Sequence, residues 1–274
     1  MGVADHHIVP LYQVDAFSKN VFEGNPAAVC VLKEALNVTT MQSIAAENNL
    51  AETAFVRLDT EPYELRWFTP TTEVALCGHA TLASAHVLFS EGYVSADRID
   101  FQSLQSGVLS VKREAENSYT LDFPADRLES YALSNALMEA IGTPIIDAAK
   151  GQTDLILRVD SPKSVALASP DLVAIKSWPF RGVIVTAKGE GEVDFVSRFF
   201  GPAVGVDEDP VTGSAHTSLT VYWAERLKKS KLSAYQASKR GGSLICELDG
   251  DRVKLTGNAR LYLKGEIYVP HRQK

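Results

Sequence analysis

The sequence predicts a mixed α/β protein of two similar halves, each with one buried helix wrapped by strands. Three observations carry that expectation. The chain has 274 residues, above the usual size of a single domain. Short runs rich in β-branched and aromatic residues, bounded by turn formers, recur along it. Two helical segments, 80–89 and 215–223, carry no wide charged face, and a helix that is apolar or small nearly all round is enclosed on most sides.

The elements follow in order. Strand-like runs lie at 11–17, 27–32, 53–56, 109–112, 155–159, 182–186 and 262–268. A first helix opens near Thr39 and Thr40 and carries Met41, Ile44 and Ala45. A second runs from His79 to about Glu91, where Gly92 supplies the C-terminal stop. A third spans Ser134 to Gly142. A fourth runs from Ser214 to about Lys229, and the basic stretch 226–231 reads as its last turn, where cations complement the dipole.

The two halves repeat each other. Arg66-Trp67-Phe68-Thr69-Pro70 returns as Arg198-Phe199-Phe200-Gly201-Pro202. Gly78-His79-Ala80 opens one buried helix and Gly213-Ser214-Ala215 opens the other. The arginines are 132 positions apart and the glycines 135, both close to half the chain. The expected division is an N-terminal domain over 1–120, with 262–274 as a segment that could return to it, and a C-terminal domain over 121–261. A cleft between duplicated domains would receive two helix N-termini. Each would offer backbone N–H groups and a positive dipole end to one carboxylate.

Composition narrows the function. Hydrophobic residues are 45% and charged residues 22%, ordinary for a globular chain. The net charge of −7, with no basic patch beyond a helix end, argues against nucleic acid. No apolar run reaches the length of a membrane span, and residues 1–10 lack the core of a signal peptide. Three cysteines, Cys30, Cys77 and Cys246, give neither a disulfide framework nor a zinc spacing. A reducing cytoplasm and no metal are expected, with His6-His7 read as a solvated pair.

Three places could carry chemistry. Glu52 enters an apolar strand, where burial would raise its pKa toward that of a base working near neutrality; the plain alternative is a strand-edge carboxylate facing solvent. Cys77 and His79 flank Gly78 at the start of the second helix, two apart and so on different helix faces, which speaks against a thiol–imidazole dyad. Asp207-Glu208-Asp209 precedes the fourth helix, and Asp209 could overhang the anion site at Gly213 and Ser214. No calcium loop and no phosphate-loop signature accompanies the acids.

In these stretches the sequence resembles the PhzF-like (phenazine biosynthesis-like) family of the diaminopimelate epimerase-like superfamily. The matches are Asp15-Ala16-Phe17 with 22–29, Asn49-Leu50-Ala51-Glu52-Thr53-Ala54-Phe55, Arg66-Trp67-Phe68-Thr69-Pro70 leading to Cys77-Gly78-His79-Ala80-Thr81, and Arg198-Phe199-Phe200 leading to 208–215. The resemblance implies two pseudo-symmetric α/β (α+β) domains, each a curved, mostly antiparallel sheet around a central helix. It implies Glu52 as the proton-shuttling acid/base, with His79 and Asp209 beside it. Asn25, Cys77, Gly78, Gly213 and Ser214 would contact the substrate.

It further implies a cofactor-independent isomerase acting on a small carboxylate-bearing metabolite, in a chain that dimerises with itself. The superfamily's epimerases place a cysteine at each helix start. Cys77 holds the first such position here and Asp209 is expected at the second, which favours a single-base shift over two-thiol racemisation. Three other readings stand beside it: an amino-acid racemase or epimerase using Glu52 with a second acid or thiol, a metabolite-binding or interaction module without turnover, and a thiol hydrolase using Cys77.

Overall fold

In the computed structural model, which describes residues 6–270, the chain divides into two compact units. The first holds Met1–Val21, Pro26–Tyr119 and Ala259–Lys274, and the second holds Phe22–Asn25 and Thr120–Asn258. The sequence places the boundaries at 120 and 262 and does not foresee that Asn25 belongs with the C-terminal half.

The first unit is built from β1 (His6–Ala16), β2 (Asn25–Leu32), α1 (Val38–Asn48), β3 (Glu52–Arg57), β4 (Tyr63–Phe68), β5 (Glu73–Val74), α2 (Gly78–Ser90), β6 (Arg98–Ser103), β7 (Gly107–Ala115) and the start of β8 (Ser118–Pro124). The second follows with β9 (Glu129–Ser130), α3 (Asn135–Ile141), β10 (Asp147–Lys150), β11 (Asp154–Arg158), α4 (Pro162–Leu167), α5 (Leu172–Lys176), β12 (Gly182–Lys188) and β13 (Phe195–Gly201). It then adds a 3₁₀ turn, Pro202–Val204, before β14 (Val206–Asp209), α6 (Gly213–Leu227), β15 (Lys231–Gln236), β16 (Gly242–Asp249) and the first part of β17 (Arg252–Pro270), which from Ala259 on returns to the first unit and pairs with β1.

The repeat is a repeat of topology. In the first unit β2 runs parallel to β3, β3 antiparallel to β4, β4 antiparallel to β5 and parallel to β6, and β6 antiparallel to β7. In the second unit β11, β12, β13, β14, β15 and β16 pair in the same order with the same directions. The matched motif does the same work in both. Arg66 makes a two-pronged bond to Glu73 at 2.7 and 2.8 Å, and Arg198 makes one to Glu208 at 2.7 and 2.9 Å. Each guanidinium also covers a phenylalanine, Phe68 or Phe200, of its own strand. A paired guanidinium therefore fixes the strand that leads to each central helix.

Both central helices are enclosed. In α2 every residue from 79 to 89 is buried, and in α6 Leu219, Tyr222 and Trp223 are among the buried side chains. Their small residues let strands approach closely, and the hydroxyls they bury fold back onto the helix: Ser84 Oγ donates to the Ala80 carbonyl at 2.7 Å. Stops come from the backbone. Asn49 ends α1 with φ 50° and Gly142 ends α3 with φ 72°, both in the left-handed region that asparagine and glycine tolerate. The basic stretch 226–231 is only partly a last turn: α6 closes at Leu227, Lys228 caps it, and Lys231 already begins β15.

Candidate active site

Three residues of the first unit converge at the start of α2. The left-handed turn at Asn49 ends α1 and delivers the chain into β3, whose first residue is Glu52. Glu52 pairs with Ala27 of β2, and its side chain is only 19% exposed, so it is not a solvent-facing edge carboxylate. His79 Nε2 lies 3.2 Å from Glu52 Oε2, close enough for an ion pair.

Cys77 lies beside the same imidazole, its Sγ 3.4 Å from His79 Nδ1. The spacing argument separated these two residues wrongly. Cys77 is the N-cap, with extended φ −143° and ψ 108°, so helix geometry does not govern its direction and its thiol swings over His79. Thr81 secures the turn by donating Oγ1–H to the Cys77 carbonyl at 2.6 Å.

The second unit builds a different arrangement at the start of α6. Asp209 ends β14, and its carboxylate accepts from Asn25 Nδ2 at 2.8 Å and from Thr212 Oγ1 at 2.5 Å. Asn25 Nδ2 also donates to the Val211 carbonyl at 2.9 Å. Gln236, fully buried, accepts from the Thr212 N–H and donates to the Asp209 carbonyl, both at 2.8 Å. His216, pushed down to about 4 by burial, is neutral and donates Nδ1–H to the Thr212 carbonyl at 2.8 Å. In the acidic run Asp207 is exposed, Glu208 is paired with Arg198, and only Asp209 turns toward the start of α6.

The helix-start position that matches Cys77 is Thr212, the N-cap of α6, and not Asp209 as the sequence suggested. Asp209 stands three residues earlier and binds that threonine. A second thiol is absent from the position either way.

Strand register explains why only one unit carries a Glu52. Thr53 pairs with Phe68, and Val183 pairs with Phe200, so the counterpart of Glu52 is Gly182. A Cβ at Gly182 would stand 2.2 Å from the Phe199 ring. Beside it Arg181 is held by the buried Asp154 at 2.9 and 2.5 Å and donates to Ser214 Oγ at 2.9 Å. Where the first helix start meets a carboxylate, the second meets a guanidinium.

Residues 14–265 match the model of the family described as phenazine biosynthesis-like protein. The chain belongs to this family. An uncharacterised isomerase of Pseudomonas aeruginosa is 51% identical over 93% of this chain and 97% of its own length. The crystal structure of a PhzF-family phenazine biosynthesis protein from Enterococcus faecalis superposes with a TM-score of 0.92 at 48% identity, over 96% of this chain and 100% of that one. A hydroxyproline epimerase from Agrobacterium vitis shares the fold alone, with a TM-score of 0.61 at 12% identity over 98% of this chain and 95% of that one. With relatives named isomerases matching over nearly their whole length, this member of the PhzF-like family is an isomerase by class.

The protonation pattern of the Glu52 cluster reverses one expectation. Burial pushes the Glu52 carboxyl up, but the charge of His79 and hydrogen bonds from His79 and Cys77 outweigh it and hold the group below its ordinary value. Burial pushes His79 down, yet Cys77 and Glu52 beside it raise it well above 6.5. Burial, then the Glu52 charge, raise the Cys77 thiol. Near neutrality the cluster therefore holds an ionised carboxylate, an imidazolium and an un-ionised thiol. With the thiol neutral, Cys77 supports the His79 proton only as a hydrogen-bond acceptor, and Glu52 is the charge that keeps it there. A resting thiol is a poor nucleophile, which weighs against the hydrolase reading even though Cys77 and His79 touch.

Sequence reasoning missed Thr212, Gln236, Arg181 and Asp154. Arg181 precedes the strand at 182–186 and Gln236 ends one the sequence did not mark. Only the partners reveal their use.

Proposed function

We propose that this protein catalyses a cofactor-independent proton shift on a small carboxylate-bearing metabolite, with Glu52 taking the proton and returning it. The observation that supports this most directly is the Glu52–His79 pair at the start of α2. A base must be unprotonated to act, and His79 keeps Glu52 so. Once Glu52 accepts a proton from carbon, its attraction to the imidazolium is lost, which makes it a good acid for the return step. The imidazolium and the N–H groups at Gly78 are suited to the substrate's carboxylate and to negative charge that develops on it as carbon loses its proton.

The grouping also supports a shift over a racemisation within this cluster. Glu52, His79 and Cys77 donor atoms all lie within 4.8 Å of one another. They meet a substrate from one side, whereas inversion of a stereocentre by two groups needs them on opposite faces. A one-sided base moves a proton between two carbons of the same face. In the amino-acid racemase or epimerase reading Asp209 would be the second acid, and its bonds to Asn25 and Thr212 hold its carboxylate fixed for such a part. Our reading assigns Asn25, Asp209, Gly213 and Ser214 to substrate positioning and Asp209 also to proton handling. It includes a cytoplasmic homodimer with no nucleic-acid or membrane partner, which sedimentation and cell fractionation test.

The experiment is exchange in deuterated water over a panel of L-amino acids and cyclic unsaturated carboxylates, read by mass spectrometry. Deuterium gained with the native protein and lost with Glu52→Gln is the expected result. Exchange that persists in Glu52→Gln overturns the role of Glu52. A compound that binds without exchanging would favour the binding-module reading.

A further inference from the structure

The start of α6 carries one hydroxyl that behaves unlike its neighbours. A hydroxyl on a helix usually gives its hydrogen to a carbonyl one turn back. Thr217 and Thr220 do so, donating to the Ser214 and His216 carbonyls at 2.7 and 2.5 Å, and Ser218 donates to the Asp126 carboxylate at 2.6 Å. Ser214 is the second residue of the helix, and the carbonyl one turn back, that of Pro210, lies before the helix and accepts from Ser238. Ser214 Oγ instead accepts from Arg181 Nη2 at 2.9 Å. A guanidinium only donates, so the serine oxygen is the acceptor there and its own hydrogen needs another partner. Among the described residues that hydrogen meets no acceptor.

Arg181 is held for this contact from three sides. Its Nε and Nη2 donate to the two oxygens of Asp154 at 2.9 and 2.5 Å, its backbone N–H donates to the Thr153 carbonyl at 2.7 Å, and its guanidinium lies 5.3 Å from the centre of the Phe199 ring. Nη2 carries two hydrogens, one for Asp154 and one for Ser214. Asp154 is 1% exposed, and burying a carboxylate is costly even when it is paired, so stability alone is a weak reason for the pair. What the pair does fix is the direction of the fork. The other carboxylates that act on the guanidinium are engaged elsewhere: Asp126 accepts from Ser218 and the Gln152 N–H, and Asp209 accepts from Asn25 and Thr212.

We propose that Arg181, fixed by Asp154, is a positioning residue: it holds the Ser214 oxygen as an acceptor, so that the hydroxyl hydrogen turns outward and is donated to the substrate's carboxylate. This rests on the assignment of Ser214 to substrate positioning above. The guanidinium also polarises the hydroxyl and makes it a stronger donor, beside the N–H groups of the first turn of α6. The repeat gives the arrangement its counterpart. Register makes Gly182 the counterpart of Glu52, so Arg181 stands where Ala51 stands in the first unit, and Ser214 follows Gly213 as His79 follows Gly78. The first unit meets its second helix residue with an anion that keeps a proton on it. The second unit meets its own with a cation that frees a proton to be donated.

Calorimetric titration with cyclohexenecarboxylate reads binding without turnover, and cyclohexenecarboxamide is its neutral equivalent. Ser214→Ala should weaken the carboxylate roughly 10- to 100-fold, the range of a hydrogen bond to a charged group, and the amide far less. Arg181→Lys keeps a cation for Asp154 but not the fork that reaches Ser214, and should lose most of the same affinity. Arg181→Met with Asp154→Asn removes both charges together, so no lone buried carboxylate is left to unfold the chain, and should lose as much. Either change made on top of Ser214→Ala should add less than about threefold, because it acts through that serine. In the exchange assay the same variants should raise KM and leave kcat within about threefold, as loss of a contact made equally before and during proton transfer does.

A further loss of tenfold or more on top of Ser214→Ala overturns the proposal, since Arg181 would then act on the ligand itself. So does a lower kcat at unchanged KM, the mark of a merely structural role, or a native protein that binds no carboxylate at millimolar concentration. The predicted binding pattern in a protein that exchanges no compound would sink the proton-shift reading and leave the role of Arg181 standing. Exchange that depends on Glu52 but is indifferent to Arg181 would do the reverse.

Discussion

Replacing Glu52 by glutamine tests the electrostatics of the cluster without changing its shape. At 3.2 Å and an effective dielectric of about 20, the Glu52–His79 attraction is about 5 kcal/mol, most of it offset by the burial of the two charges. Removing one partner of such a pair costs about 3–5 kcal/mol when the other charge remains. His79 has an escape, because it can release its proton, and the cost therefore depends on pH. In the native protein His79 is raised above 6.5, so its share of the stability is whole below 6.5 and fades as pH rises toward the folded value. Each pH step above 6.5 removes about 1.4 kcal/mol while His79 stays protonated in the folded state.

Glu52, lowered, contributes stability above 4.5 that is lost as pH falls through its folded value. The pair thus stabilises most between about pH 4.5 and 6.5. In Glu52→Gln the anion is gone and burial pulls His79 down from its native value, so folding is opposed at low pH and relieved as pH rises. The difference between the two proteins should be about 3 kcal/mol or more at pH 5 and at most about 1 kcal/mol at pH 8. Urea unfolding at both pH values measures it, and proton NMR of the His79 ring reads the titration. An equal difference at pH 5 and pH 8, or an imidazole still raised in the variant, would refute the assignment of Glu52 as the anion that holds that proton.

Three further outcomes are expected. Asn25→Ala removes a bond to the Asp209 carboxylate worth about 1.5–3 kcal/mol, and should lower kcat more than it raises KM in the exchange assay; an unchanged kcat would exclude Asp209 from the reaction. Cys77→Ser should keep exchange within about tenfold of the native protein, since proton transfer by Glu52 carries the ~10²–10⁴ of the rate; loss equal to that of Glu52→Gln would return the thiol to the centre of the chemistry. Gly182→Ala should lower stability by about 1–3 kcal/mol through its clash with the Phe199 ring, a loss readable in a thermal melt.

Much was legible in the residues themselves. The two enclosed helices could be read because helix burial leaves a composition signature, and the duplication because its motifs do structural work in both halves. Glu52, Cys77, His79 and Asp209 lay in motifs placed at helix and strand starts, where chemistry-bearing residues stand out against small and apolar neighbours. Cys77 and His79 were misjudged because a spacing rule valid inside a helix was applied across its cap. The direction of the Glu52 shift was misjudged because burial is visible in an apolar run, while the imidazole 3.2 Å away comes from another element.

The sequence by itself determined the fold class, the repeat and the family, because these depend on periodicity, composition and local motifs, all of which are written along the chain. Tertiary structure alone decided the rest. Register made Gly182 the counterpart of Glu52, so that one unit carries the carboxylate and the other a guanidinium. Packing brought Asn25 and Gln236, 211 positions apart, onto the same aspartate. Protonation states follow from distances of a few ångströms between residues that the chain keeps apart, because electrostatic interactions depend on separation in space and not on position in sequence.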